Sequence, residues 1–302
     1  MRNLIRVCLA LITLTVATSC TAESDDGPEI VATTNILGDL TRAVVGDTAA
    51  VTVLMPPNAD PHQFAISART AARIERADVL VHNGLGLEEG VHRHVEAAEQ
   101  SGVRTLSVGE RIDPIRYLSD DGGGADPHFW TDPARVRRAV ELISEQVTQV
   151  DGIDVDAVRA NTTRYLEQLS DLDRWMGEQF AALPPQRRKL VTNHHVFGYL
   201  AQRFGFEVIG AVIPSGTTLA SPSASDLAGL AGTIRTAGVS AVFADSSQPD
   251  RLARVLAEQA GVHVRVIALY SESLTEPGGG ASTYLDMMRA NTDAIVRGLA
   301  AP

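Results

Sequence analysis

The chain has 302 residues, of which 44% are apolar and 21% charged, and a formal net charge of -11. Such a composition supports a substantial core and rules out general disorder, and the length allows one large domain or two of ordinary size. The acidic balance excludes nucleic acid as a partner, because phosphate binding draws on clustered Lys and Arg; on its own it says only that cations are attracted.

Residues 1–19 read as a signal peptide. Arg2 and Arg6 supply its positive start, and the apolar stretch 7–16 is too short to cross a bilayer. Ala17, Thr18 and Ser19 precede Cys20 in the manner of a bacterial lipobox, with Ala17 where Leu is more usual. The chain has two cysteines, and Cys8 leaves with the signal. A mature exported chain therefore carries one thiol and no internal disulfide. Cys20 is the expected lipidation site, anchoring the protein to the outer face of the cell membrane; simple cleavage, with Cys20 a bystander, is the alternative. Residues 20–29 are polar and read as a flexible tether.

From residue 30 short apolar runs alternate with amphipathic ones. Strands are expected over 30–34, 50–55, 79–82 and 104–108, with helices over 36–45, 69–76 and 88–101. Asp132 followed by Pro133 opens another helix, running to about residue 150. A second set has strands over 189–192, 207–212, 239–244 and 262–267, with helices over 195–204, 223–237, 250–260 and 282–299. Such β-α alternation predicts an α/β fold of two lobes, each a mostly parallel sheet flanked by helices. Between them, residues 156–183 have no Pro and keep apolar side chains near helical spacing until Pro184–Pro185. One linking helix of about 40 Å is expected there. The implied division is an N-terminal lobe over 30–154, the linking helix over 155–183 and a C-terminal lobe over 184–302.

Eight histidines are candidates for chemistry. Three lie in polar loops at the carboxyl ends of expected strands, where open α/β sheets bind ligands. His62 stands in PPNADPHQF, His128 in ADPHFWTDP and His194 in TNHHVFGY. The repeated Asp-Pro-His has a physical rationale: proline fixes the backbone before the imidazole, and the Asp can orient the peptide or the ring. His82, His92, His94 and His263 read as structural. Gly84-Leu85-Gly86 after a strand superficially suggests a dinucleotide loop. Its third glycine is one place late, and Glu88 and Glu89 crowd the position of the phosphates.

Together these stretches resemble one family, the zinc/manganese solute-binding lipoproteins of bacterial ABC transporters (the ZnuA/TroA type). PPNADPHQF, NGLGLE, ADPHFWTDP, TNHHVFGYLAQRFGF and LYSESL followed by STYLDMMRAN occur in the family's order across nearly the whole mature chain. The resemblance implies a metal site between the lobes with four protein ligands: His62, His128, His194 and Glu272. His195 competes with His194; on a helix the two would point about 100° apart. Glu272 stands where the family usually has Asp, one methylene longer, and otherwise reads as a solvated loop acid.

The resemblance also implies a monomeric capture protein that delivers its ion to a permease and its ATPase, with no reaction chemistry. Three imidazoles and a carboxylate suit Zn2+, with Mn2+ the alternative. Residues 119–125 lack the histidine-rich tract common in zinc-specific relatives and keep Asp120 and Asp121 beside Asp126. Histidine ligation predicts an affinity that falls as pH drops through about 6.5. The rival from another class is a metallohydrolase in which Glu272 is a base, not a ligand. A surface-adhesin role, described for related lipoproteins, is compatible but has no residue in its support.

Overall fold

The computed structural model describes residues 27–117, 124–261 and 264–300. The signal peptide, Cys20, Asp120, Asp121 and His263 lie outside them.

The described residues form two four-stranded sheets, each entirely parallel. The first has strand order β2-β1-β3-β4, from β1 Glu29–Ala32, β2 Ala50–Val53, β3 Val79–His82 and β4 Arg104–Ser107. The second repeats the pattern as β6-β5-β7-β8, from β5 Lys189–Thr192, β6 Glu207–Ala211, β7 Ala241–Asp245 and β8 Arg265–Leu269. The inner strands β3 and β7 are buried throughout. Their apolar runs are unbroken because helices cover both faces of a parallel sheet.

Helices α1 Asn35–Val45, α2 Ala68–Ile74, α3 His92–Gln100 and α4 Pro133–Val147 belong to the first lobe. Helix α5, Val155–Ala181, is the linking helix. Helices α6 Gly198–Phe204, α7 Ala224–Ala237, α8 Arg251–Ala260 and α9 Tyr284–Ala300 complete the second lobe. Along α5, Val158, Thr162, Tyr165, Leu169, Leu172, Met176 and Phe180 are buried, a spacing of three and four that keeps one face inward. That face packs on α1 and α4 from one lobe and α9 from the other. One apolar cluster consequently runs from Ile30 and Leu40 through Leu172 to Leu190 and Tyr284. At roughly 1.5–3 kcal/mol for each large buried side chain, this shared core ties the lobes together. No helix among the described residues is long and apolar enough to cross a membrane.

Several expected boundaries shift for local reasons. Strand β1 stops at Ala32 because Thr34 caps α1, accepting from Leu37 N at 3.2 Å. Helix α3 begins at His92 instead of 88 because the Glu88 carboxylate turns inward, accepting from Thr33 Oγ1 and Asn83 N at 2.6 Å and from Gly84 N at 3.2 Å. The backbone N–H that a phosphate would need is thereby taken. Helix α6 begins at Gly198 instead of 195, for residues 193–195 continue alongside 213–215: Ile213 N donates to Asn193 O at 2.8 Å and His195 N to Ser215 O at 3.1 Å. His194 and His195 are therefore not helical, and the 100° argument between them does not apply.

Candidate metal centre

The carboxyl ends of both sheets face a common cleft, and each lobe sends two loops into it. His62 follows β2 and His128 follows β4; His194 follows β5 and Glu272 follows β8. One ligand atom from each of the four lies within 4.8 Å of the other three. His62 Nε2 is 3.3 Å from His128 Nε2, which is 3.4 Å from His194 Nε2. Glu272 Oε1 is 3.0 Å from His194 Nε2 and 3.7 Å from His128 Nε2, and Glu272 Oε2 is 3.9 Å from His62 Nε2. A tetrahedral shell at the usual Zn–N and Zn–O lengths has edges of about 3.3 Å. The four side chains already stand close to that spacing.

All four are nearly inaccessible: His128 and His194 are 0% exposed, Glu272 1% and His62 2%. Burial, then the neighbouring His128 and His194, pushes the His62 imidazole down to about 2. Burial likewise holds His128 well below its ordinary value, and lowers His194 against the pull of Asp245, Asp60 and Asp126. Glu272 moves the opposite way, well above a normal carboxylate, through burial and then the charges of Asp245, Asp60 and Asp126. Neither Glu272 oxygen has a hydrogen-bond partner among the described residues. Three imidazoles and an acid thus converge with nothing positive between them, an arrangement a divalent cation completes.

The two Asp-Pro-His turns do different work. Each Asp accepts from the histidine's backbone N–H, Asp60 Oδ1 from His62 N at 2.8 Å and Asp126 Oδ1 from His128 N at 2.9 Å. Asp126 Oδ1 also meets His128 Nδ1 at 2.7 Å, which fixes Nε2 as the free lone pair. Burial raises Asp126 to about 7. Asp60 Oδ2 instead reaches across the cleft, accepting from Thr218 Oγ1 at 2.5 Å and Gln248 Nε2 at 2.8 Å. It sets His62 and joins the lobes at once.

Other residues at the centre went unremarked in the sequence. Asn35, at the start of α1, donates to Ser273 Oγ at 2.7 Å and accepts from Leu274 N at 2.9 Å, holding the Glu272 loop to the first lobe. Trp130 Nε1 donates to Ser271 O at 2.8 Å. Asp245, ending β7, accepts from the Ser271 and Ser247 hydroxyls, and burial raises its pKa. An acid closing an apolar strand was a readable signal for Asp245; Thr218 and Gln248 carry none. Tyr117 closes the mouth, its hydroxyl donating to Gly216 O at 3.1 Å and its ring 6.2 Å from that of His128. His195 is half-buried beside the centre, and its ring is not among the converging four.

Comparison with known proteins agrees with this architecture. The sequence profile described as "Zinc-uptake complex component A periplasmic" (ZnuA) matches residues 30–298. The manganese-binding lipoprotein MntA of Halalkalibacterium halodurans is 29% identical over 279 residues, covering 92% of this chain and 91% of its own length. The zinc-binding protein TroA of Treponema pallidum is 29% identical over 306 residues, covering 98% of each. Its solved structure superimposes with a TM-score of 0.84 over 91% of this chain and 100% of that one, at 28% identity. A manganese-bound periplasmic metal-binding protein from Candidatus Liberibacter asiaticus gives 0.78 over 90% and 99%, at 26% identity. With two matching parallel sheets and a profile running almost from β1 to the end of α9, the chain belongs to the ZnuA family of periplasmic solute-binding components of metal-uptake systems.

Proposed function

We propose that this protein captures a divalent transition ion, zinc, between its lobes and hands it to the permease and ATPase of an ABC importer. His62, His128, His194 and Glu272 are the four ligands in this reading. The observation that supports it best is their convergence, fully buried, at tetrahedral spacing. Relatives named as the zinc-binding protein TroA and as a manganese ABC transporter substrate-binding lipoprotein, PsaA of Streptococcus anginosus, support the transport role. Four protein ligands close the shell, which leaves no open position for an activated water and argues against hydrolysis.

The division into lobes over 30–154 and 184–302 with the linking helix between follows the two sheets. Because α5 is packed into both lobes, capture proceeds by rearrangement of the loops around His128 and Glu272 and not by wide hinge opening. The permease reads the closed form, in which Asp60 bridges to Thr218 and Gln248. The protein acts as a monomer held to the outer face of the membrane by a lipid on Cys20.

Manganese is the second reading, favoured by the name of the MntA relative. Nitrogen-rich tetrahedral ligation ranks Zn2+ well above Mn2+. Protein purified without added metal and analysed for bound ions is expected to carry zinc. In competition, with Zn2+ and Mn2+ equimolar and both in large excess over protein, more than ~90% of the sites are expected to hold Zn2+, a tenfold preference or better. Retention of Mn2+ against equimolar Zn2+ would assign the site to manganese.

A further inference from the structure

The loop after β3 separates the mouth of the cleft from a second cavity. Leu85 and Gly86 line both. The second cavity, of about 660 Å3, is walled by five carboxylates, against Arg93 as the one Arg or Lys side chain. An acidic wall by itself proves nothing, since solvated carboxylates are common. What singles this one out is His82, the last residue of β3, which is 9% exposed. Its Nε2 lines the cavity with no hydrogen-bond partner among the described residues, and the Ser107 hydroxyl beside it shares that condition.

Facing His82 Nε2 at 4.0 Å is Glu99 Oε1. That carboxylate is held in place by Thr105 Oγ1, which donates to it at 3.0 Å from the neighbouring strand. Above them on α3, His92 Nδ1 and Glu96 Oε1 stand 3.6 Å apart, one turn of helix between them. Burial lowers His82, outweighing the charges of Glu88, Glu99 and Glu110, which raise it. A buried ring nitrogen with no hydrogen-bond partner among the described residues therefore faces a carboxylate across 4.0 Å, a gap that an ion bound to both spans. An imidazole nitrogen with carboxylate oxygens is the donor set of a borderline divalent ion.

We propose that this cavity is a second divalent transition-metal site, with His82 Nε2 and Glu99 Oε1 as inner ligands and His92 and Glu96 completing the shell from the rim. His92 and Glu96 are 65% and 52% exposed and free to swing inward, so the site is weaker than the preformed centre in the cleft. Its shared wall with the cleft mouth puts the second ion one loop away from the first.

The test is Zn2+ titration of the chelator-stripped full chain by calorimetry, with the bound metal counted after dialysis. Two ions per chain are expected, one tight and one weaker. Glu99→Gln and His82→Asn should each abolish the weaker ion and leave the tight affinity within about twofold. His194→Ala should do the reverse, so that failure of the cleft reading and failure of this one separate cleanly. Glu99 is half exposed, so Glu99→Gln keeps the test valid if His82→Asn does not fold. A single ion in the wild type would overturn the proposal. A second ion that survives both substitutions would overturn it equally.

Discussion

Replacing Glu272 by Gln is expected to weaken zinc binding by about 100-fold and, at the same time, to stabilise the metal-free protein. Structural zinc sites with four ligands gain about 10–16 kcal/mol on binding, so one ligand carries roughly 3 kcal/mol, or about two decades of affinity. The stability effect follows from what surrounds the carboxylate without metal. Glu272 is 1% exposed, has no donor among the described residues, and sits in the field of Asp245, Asp60 and Asp126. An amide of the same shape is neutral at every pH and offers two N–H donors to the imidazole lone pairs. Pairing a buried polar group that otherwise has no partner is worth about 1–3 kcal/mol, a rise of some 2–4 °C per kcal/mol for a protein of this size. Chelator-competition titration and thermal melts of the metal-free variant read the two effects separately. If affinity and metal-free stability fell together, Glu272 would be a structural acid. If affinity were unchanged, it would be a bystander to the metal.

Zinc binding near pH 6 is expected to release about one proton per ion, and that proton comes from Glu272, not from histidine. Burial lowers His62 to about 2, holds His128 well below its ordinary value and lowers His194. The histidine-based expectation of a fall through pH 6.5 is thereby corrected. The raised group is Glu272, which keeps its proton in the metal-free state up to an unusually high pH. The sign is fixed by that shift: lowering the pH through the raised value populates the protonated acid, which the ion must displace. Affinity below that value should fall about tenfold per pH unit, the 1.36 kcal/mol of one proton. Calorimetry in buffers of different ionisation enthalpy counts the proton. In Glu272→Gln the count should drop by about one, and the pH dependence that remains should be only that of Asp126, raised to about 7 beside His128. Release of two or three protons per ion that persisted in the variant would put the titration on the histidines.

The sequence was most informative where periodicity or local backbone chemistry decides the outcome. The linking helix was legible because seven inward side chains recur at three- and four-residue spacing and Pro184 ends the run. The parallel sheets were legible because runs such as 79–81 and 241–244 are apolar throughout. Boundaries failed where tertiary contacts intervened. Glu88 delays α3 by turning its carboxylate into the β3 loop, and the bent 193–195 segment is held by backbone hydrogen bonds to 213 and 215 instead of starting a helix.

The site divides in the same way. The three histidines could be named from loop position and Glu272 from resemblance, but the pKa shifts of the converging four come from complete burial, which no local pattern encodes. The distinct roles of the two Asp-Pro-His turns were equally hidden. Asp126 orients its own histidine, whereas Asp60 depends on Thr218 and Gln248, more than 150 residues away in the chain. His82 read as a structural strand residue, and only the cavity beside it gives its bare nitrogen significance.

The convergence of two loops from each lobe on one ion is tested most directly by zinc K-edge X-ray absorption of the full chain loaded to half an equivalent. Substoichiometric loading fills only the tightest centre. The account predicts four nitrogen and oxygen neighbours at about 2.0–2.1 Å, with the outer-shell scattering of three imidazoles, falling to two in His194→Ala. A first shell carrying one imidazole or none, or one unchanged by His194→Ala, would contradict it.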